Sequence, residues 1–230
     1  MTPGPSATPS PNGQPLAASQ ICVALDVPTL LDASELVAQL VPMGVTWFKV
    51  GSSLFCREGP EVVRRLVGQG ARVFLDLKLH DIPHQVALTV AAVRDLGAEL
   101  LTLHASGGSE MIGAAAREAG SMRLLAVTVL TSLEAALEQV VSLGKQAVDA
   151  GAGGLVCSPQ EVAALRQALG DQSWLVVPGI RPEGDDAQDQ TRVGSPRSAL
   201  RDGATLLVVG RPITRAPNPI VGLQRLLSAS

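Results

Sequence analysis

The 230-residue sequence predicts a single (β/α)8 barrel, and three observations carry that prediction. From Ile21 onward, eight short and almost wholly apolar runs alternate with longer amphipathic stretches. Runs without polar alternation are typical of parallel strands covered by helices. A glycine closes many of the helical stretches before the next apolar run, at Gly44, Gly70, Gly97, Gly120, Gly151 and Gly203, which is the expected placement of a helix C-cap. Lastly, the turn after the first run is Asp26-Val27-Pro28. A doubly wound open sheet, the alternative, usually has a glycine-rich turn there.

In order, the predicted strands are residues 21–25, 46–50, 73–77, 100–104, 124–129, 154–157, 174–177 and 205–209. The predicted helices are 30–40, 61–67, 85–96, 110–119, 133–150, 159–169, 196–201 and 220–227, each with apolar residues at helical spacing. Residues 1–19 contain five prolines and no charged side chain. They lack the basic start and apolar centre of a secretory signal. They are expected to form a disordered tail, leaving residues 20–230 as the barrel domain.

Composition excludes several functions. A net charge of -3 and few aromatics (2%, no Tyr) disfavour nucleic acid as a partner. No apolar run approaches the ~18 residues of a membrane span. Cys22, Cys56 and Cys157 are odd in number and lack metal-ligand spacing. They read as reduced thiols of a cytoplasmic protein.

The densest chemistry lies at residues 73–86, Val-Phe-Leu-Asp-Leu-Lys-Leu-His-Asp-Ile-Pro-His-Gln-Val. If 73–77 is a strand, Asp76 and Lys78 share a face at its C-terminal end, and Asp81 lies just beyond. Charge in a buried strand is costly unless paired. Two readings stand side by side: a reactive site, or a structural ion pair followed by Asp81 as N-cap of a helix starting at Pro83.

Two features favour a site. Barrel active sites sit at the C-terminal strand ends, where Asp26, Lys49, Asp76, Lys78, Asp81, His104, Ser106, Thr128, Thr131, Ser132, Ser158, Arg181, Gln190, Gly210 and Arg211 fall. Of the 18 basic residues only Lys49, Lys78 and Lys145 are lysine. Two of these three lie on that rim, and lysine can give up a proton where arginine cannot.

The loops after the last two strands suit an anion. Gly210-Arg211-Pro212 offers close backbone approach, a donor fork and a helix start. Pro178-Gly179-Ile180-Arg181-Pro182 opens a long polar loop of the kind that binds or covers a ligand.

Taken together, Ala24-Leu25-Asp26, Phe48-Lys49-Val50-Gly51, Asp76-Leu77-Lys78-Leu79-His80-Asp81-Ile82-Pro83 and His104-Ala105-Ser106-Gly107-Gly108 resemble the orotidine 5′-phosphate decarboxylase family. Val127-Thr128-Val129-Leu130-Thr131-Ser132, Pro178 to Pro182 and Val209 to Pro212 continue the bacterial pattern in order. The resemblance spans residues 21–227. It implies a cofactor-free and metal-free decarboxylation of orotidine 5′-phosphate to uridine 5′-phosphate in pyrimidine synthesis. Lys49, Asp76, Lys78 and Asp81 would form the catalytic array, with Lys78 protonating the ring carbanion and Asp76 lying against the leaving carboxylate. Asp81 would reach the neighbouring subunit's site, making a homodimer necessary. Asp26 and Lys49 would hold the ribose, and Thr131 with Ser132 the pyrimidine. Arg181, Gln190, Gly210 and Arg211 would hold the phosphate, and Ile82 and Gln85 would complete the substrate contacts.

The chain departs from the bacterial pattern at Gln85, where Thr is frequent, and at Gln188, where Gly is usual. His80 and His104 read as structural, and His84 as a solvated helix residue. The nearest alternative is a magnesium-dependent barrel enzyme acting on sugar phosphates. Such enzymes share Asp-x-Lys-x-x-Asp but commonly carry Glu where this chain has Lys49, and an ammonium there repels a divalent cation. A catalytically dead nucleotide-binding barrel would have lost the charged array, which here is complete.

Overall fold

A computed structural model describes residues 16–130, 135–181 and 194–228. Eight parallel strands close a barrel in sequence order: β1 Ile21–Ala24, β2 Trp47–Gly51, β3 Arg72–Leu79, β4 Leu100–His104, β5 Arg123–Val127, β6 Gly154–Val156, β7 Trp174–Val177 and β8 Leu206–Val209. β8 returns to pair with β1 through Ile21↔Leu207 and Cys22↔Val208. Ten helices accompany the strands among the described residues: α1 Leu30–Leu40, α2 Ser52–Glu58, α3 Glu61–Gly68, α4 Pro83–Arg94, α5 Gly108–Glu118, α6 Leu137–Asp149, α7 Val162–Leu169, α8 Pro196–Arg201, α9 Arg211–Thr214 and α10 Pro219–Ser228. None is long and apolar enough to cross a membrane.

The predicted barrel and its eight strands are present, and the differences are local. β3 runs on to Leu79 because the chain bulges against β4 between Leu75 and Leu79. The short α2 was not foreseen, since seven residues give too little periodicity to read. The stretch 159–169 divides into a 3-10 turn at Pro159–Glu161 and α7. The six predicted glycine stops all take left-handed φ values, from 60° at Gly120 to 111° at Gly151. Leu16, within the stretch expected as a tail, is 6% exposed and packs in the outer core, followed by a 3-10 turn at Ala18–Gln20.

Strand parity divides the core in two. One layer fills the space between barrel and helices, with Val23, Leu75, Leu101 and Val209 facing outward. The other fills the barrel itself, with Cys22, Ala24, Trp47, Phe74, Leu100, Val127, Val156, Val176 and Val208 facing inward. The lower end is plugged by Trp47 and Trp174, edge to face with ring centroids 5.7 Å apart. Arg72 caps the Trp47 ring at 4.0 Å while bonding Glu99 through two nitrogens. The next inward positions after Ala24, Trp47 and Phe74 are Asp26, Lys49 and Asp76. Period-two alternation therefore lifts these charges above an apolar floor, at the C-terminal mouth.

Candidate active site

A cavity of about 430 Å³ opens at that mouth. Its floor is Phe74, Val127, Val156 and Val208, its walls near β1 to β3 carry Asp26, Lys49, Asp76 and Lys78, and the β7 and β8 ends, which close onto β1, carry Arg181, Gly210, Arg211, Thr214 and Arg215.

Asp76 is the hub. It is 8% exposed and takes both oxygens to Lys78 Nζ at 2.8 Å. Lys49 Nζ lies 3.5 Å from Asp76 Oδ2 and 3.3 Å from Asp26 Oδ1. Thr102 Oγ1, from β4, donates to Asp76 Oδ1 at 2.9 Å. Burial acts to raise the Asp76 pKa, but Lys49, Lys78 and the two hydrogen bonds outweigh it and hold the carboxyl below its ordinary value. Burial likewise acts to lower the Lys49 pKa, and Asp76 followed by Asp26 turns the net shift upward. Asp76 and Lys49 are therefore each held charged by the oppositely charged groups around them.

Lys78 reaches Asp76 through an unusual backbone. Two residues apart on a regular strand, their side chains would point the same way with about 7 Å between their Cα atoms. Instead Lys78 adopts φ 51°, the one left-handed non-glycine residue among those described. That conformation costs on the order of 1 kcal/mol for a residue with a Cβ. It coincides with the bulge, where Asp76, Leu77 and Lys78 stand opposite Thr102 alone. Lys78 N–H bonds the Thr102 hydroxyl at 2.9 Å.

His80 and His104 stand beside this array with ring centroids 5.3 Å apart. Burial, then His80 and Lys78, lower the His104 pKa, which favours a neutral imidazole near pH 7. Cys22, buried beneath Lys49, has its thiol pKa pushed well up by that burial.

Of the residues singled out in the sequence, Asp26, Lys49, Asp76, Lys78, Arg181, Gly210 and Arg211 line this one cavity. Asp81, Ile82 and Gln85 do not line it. They sit exposed at the entrance to α4, with Ile82 63% exposed. The N-cap of α4 is Ile82 rather than Asp81, because Pro83 takes the first helical position. Asp81 Oδ1 instead accepts the Ile82 N–H at 2.6 Å. Thr131, Ser132, Gln188 and Gln190 lie outside the described residues. His84 is exposed on α4.

Sequence reasoning missed Thr102, Thr214 and Arg215. Thr102 lies inside a strand rather than at its end. Its signal is a lone hydroxyl in Leu100-Leu101-Thr102-Leu103, at the same parity as His104. Thr214 and Arg215 come one turn after Gly210-Arg211 on a helix too short to read from periodicity.

A closed parallel barrel with interlocked lysines and aspartates at its mouth, together with arginines, defines the class: a (β/α)8-barrel enzyme with a charged rim. The chain belongs to the orotidine 5′-phosphate decarboxylase / HUMPS family, whose profile matches residues 19–226. It is 51% identical over 212 residues to the orotidine 5′-phosphate decarboxylase of Anaeromyxobacter sp. (strain K), covering 87% of this chain and 93% of that one. It is 48% identical over 223 residues to the protein of the same name from Nitrosococcus oceani, covering 90% and 96%. The crystal structure of orotidine 5′-phosphate decarboxylase from Lactobacillus acidophilus superposes with a TM-score of 0.80 at 36% identity, covering 91% of this chain and 97% of that chain.

Proposed function

We propose that this enzyme decarboxylates orotidine 5′-phosphate to uridine 5′-phosphate in pyrimidine nucleotide synthesis, using its own charged side chains and neither metal nor cofactor. The observation that carries the reading is the Lys49–Asp76–Lys78 chain in a cavity that is also lined by Arg181, Arg211 and Arg215. Five cationic and two anionic side chains line the described cavity, an excess of three positive charges. A phosphate ester of about -2 and a carboxylate of -1 match that excess.

In this mechanism Asp76 lies against the substrate carboxylate, where the repulsion is relieved as neutral CO2 departs. The ring-carbon bond to the carboxylate breaks and its electron pair stays on the ring carbon. The Lys78 ammonium stabilises that pair and then donates a proton to it, giving product and a neutral amine that solvent reprotonates. One charge pair at 4 Å and an effective dielectric of about 20 contributes roughly 4 kcal/mol, so several fixed charges matter. Their fixed orientation means little reorganisation is needed as charge develops.

Asp26 and Lys49 hold the ribose, Thr131 and Ser132 the pyrimidine, and Arg181, Gln190, Gly210 and Arg211 the phosphate. Phosphate binding energy then serves closure and positioning at the distant ring. Asp81 completes the array of a second copy in a homodimer. Its exposure outside its own cavity, next to the exposed Ile82, supports that assignment, and Ile82 and Gln85 would meet substrate across the same interface. A cytoplasmic location fits a reaction on soluble nucleotides.

Lys49 Nζ, between Asp26 and Asp76, fills the position a divalent cation would need and supports the metal-free reading over the magnesium-dependent alternative. The test is loss of orotidine 5′-phosphate absorbance together with CO2 release by protein pretreated with EDTA. Full turnover is expected. Abolition by EDTA with recovery on adding Mg2+ would overturn the proposal.

A further inference from the structure

The bulge in β3 leaves a specific gap. Leu75 pairs with Leu101 and Leu79 with Leu103, so three residues of β3 face the single residue Thr102. A ladder interrupted in this way leaves backbone groups to be satisfied by other means. The Thr102 hydroxyl fills that need: it accepts the Lys78 N–H and donates to Asp76 Oδ1, each at 2.9 Å. Thr102 is fully buried and does not line the cavity, so it does not touch substrate.

We propose that Thr102 is the positioning residue of the charged array, its single hydroxyl fixing the Asp76 carboxylate and the left-handed Lys78 backbone together. This rests on the reading that Asp76 and Lys78 are catalytic. A hydroxyl is well suited to the place, since it can accept from one neighbour and donate to the other. Without it, Lys78 has a less constrained backbone at a conformation its Cβ disfavours. Asp76 would also lose one of the bonds that orient its oxygens between Lys49 and Lys78. A hydroxyl that tunes a reactive pair without touching substrate should affect turnover more than binding.

The test compares Thr102→Val, Thr102→Ala and Thr102→Ser, each normalised to binding sites counted by titration with uridine 5′-phosphate. Losing a hydrogen bond to a charged group corresponds to about 10- to 100-fold in rate. T102V and T102A are therefore expected to lose kcat by about that factor with KM within about threefold, while T102S stays within about threefold of the parent in kcat. T102A and T102S both lack the methyl group, so their ratio isolates the hydroxyl.

The pH profile supplies a readout that loosened packing would not move. The groups around Asp76 are Cys22 from β1, Lys49 from β2 (bound in turn to Asp26), Lys78 on β3 itself, and His104 from β4 with His80 beside it. Removing the Thr102 donor weakens stabilisation of the carboxylate, so the acid limb of the kcat profile is expected to move to higher pH in T102A and not in T102S. Hydroxyl-free variants with parental kcat, or T102S as impaired as T102A, would overturn the proposal. So would failure of both hydroxyl-free variants to fold while T102S folds, since the hydroxyl would then serve stability alone. If the parent protein does not turn over orotidine 5′-phosphate at all, it is the proposed function that fails, and the two failures are distinct.

Discussion

Lys78 is where residue-scale chemistry concentrates. Its ammonium is held by both oxygens of a buried carboxylate, on a backbone that an L side chain disfavours. An arginine at this position could pair with Asp76 but could not deliver a proton. Lys78→Ala removes both the charge and the proton. Its kcat is expected to fall by at least about 10⁴-fold, combining lost electrostatic and acid catalysis. Uridine 5′-phosphate binding should remain measurable by calorimetry, because Arg181, Gly210 and Arg211 come from the ends of β7 and β8, not from β3. A K78A protein with turnover near that of the parent would remove Lys78 from the mechanism. The lysine scarcity in the sequence pointed to this residue. The φ of 51° was not legible, because the motif around it contains no glycine to mark a left-handed turn.

At the scale of elements, the strands hold the rim residues in register, and the lower plug holds the strands. Gly154 at the start of β6 shows how tightly that end is closed. A Cβ there would stand 2.4 Å from the Trp174 carbonyl oxygen and 2.7 Å from its Cβ, both on the adjoining β7. Gly154→Ala therefore forces two paired strands apart. Overpacking of this kind costs about 1–3 kcal/mol, and at about 2–4 °C per kcal/mol a drop in Tm of roughly 5 °C is expected. Thermal denaturation followed by circular dichroism checks it, and an unchanged Tm would mean that the plug accommodates the extra methyl group. The existence of each of the eight predicted strands was readable from apolar runs, but their ends were less so. β3 is the clearest case: its extension past Leu77 depends on the bulge against β4, a relation between two strands that neither segment encodes alone.

For the whole molecule, the proposed shared site turns on how Asp81 would join Lys49, Asp76 and Lys78. Asp81 lies outside the cavity of its own chain, so its proposed role requires a second copy. Mixing K78A with Asp81→Ala tests this directly. In a mixed dimer, the site built on the D81A subunit keeps its own Lys78 and receives Asp81 from its partner. Random reassociation of two inactive variants should thus restore about one quarter of parental activity, since about half the dimers are mixed and each has one intact site. Activity assays after co-refolding, alongside each variant alone, measure the recovery. No recovery in a preparation shown to contain mixed dimers would confine Asp81 to its own subunit and end the shared-site assignment.

The sequence by itself determined the barrel, the order of its strands, and seven of the residues that line the cavity. It could do so because parallel strands buried on both faces must be apolar, which makes charges at their ends conspicuous. Tertiary structure alone decided what those charges do to one another. Lys49 and Asp76 are 27 residues apart and become neighbours only through the β2–β3 pairing that sets Gly51 opposite Asp76. Thr102 is an ordinary strand residue until the bulge sets it between Asp76 and Lys78. Distances of a few ångströms across strands depend on register and local backbone distortion, and a linear pattern of residue types carries neither.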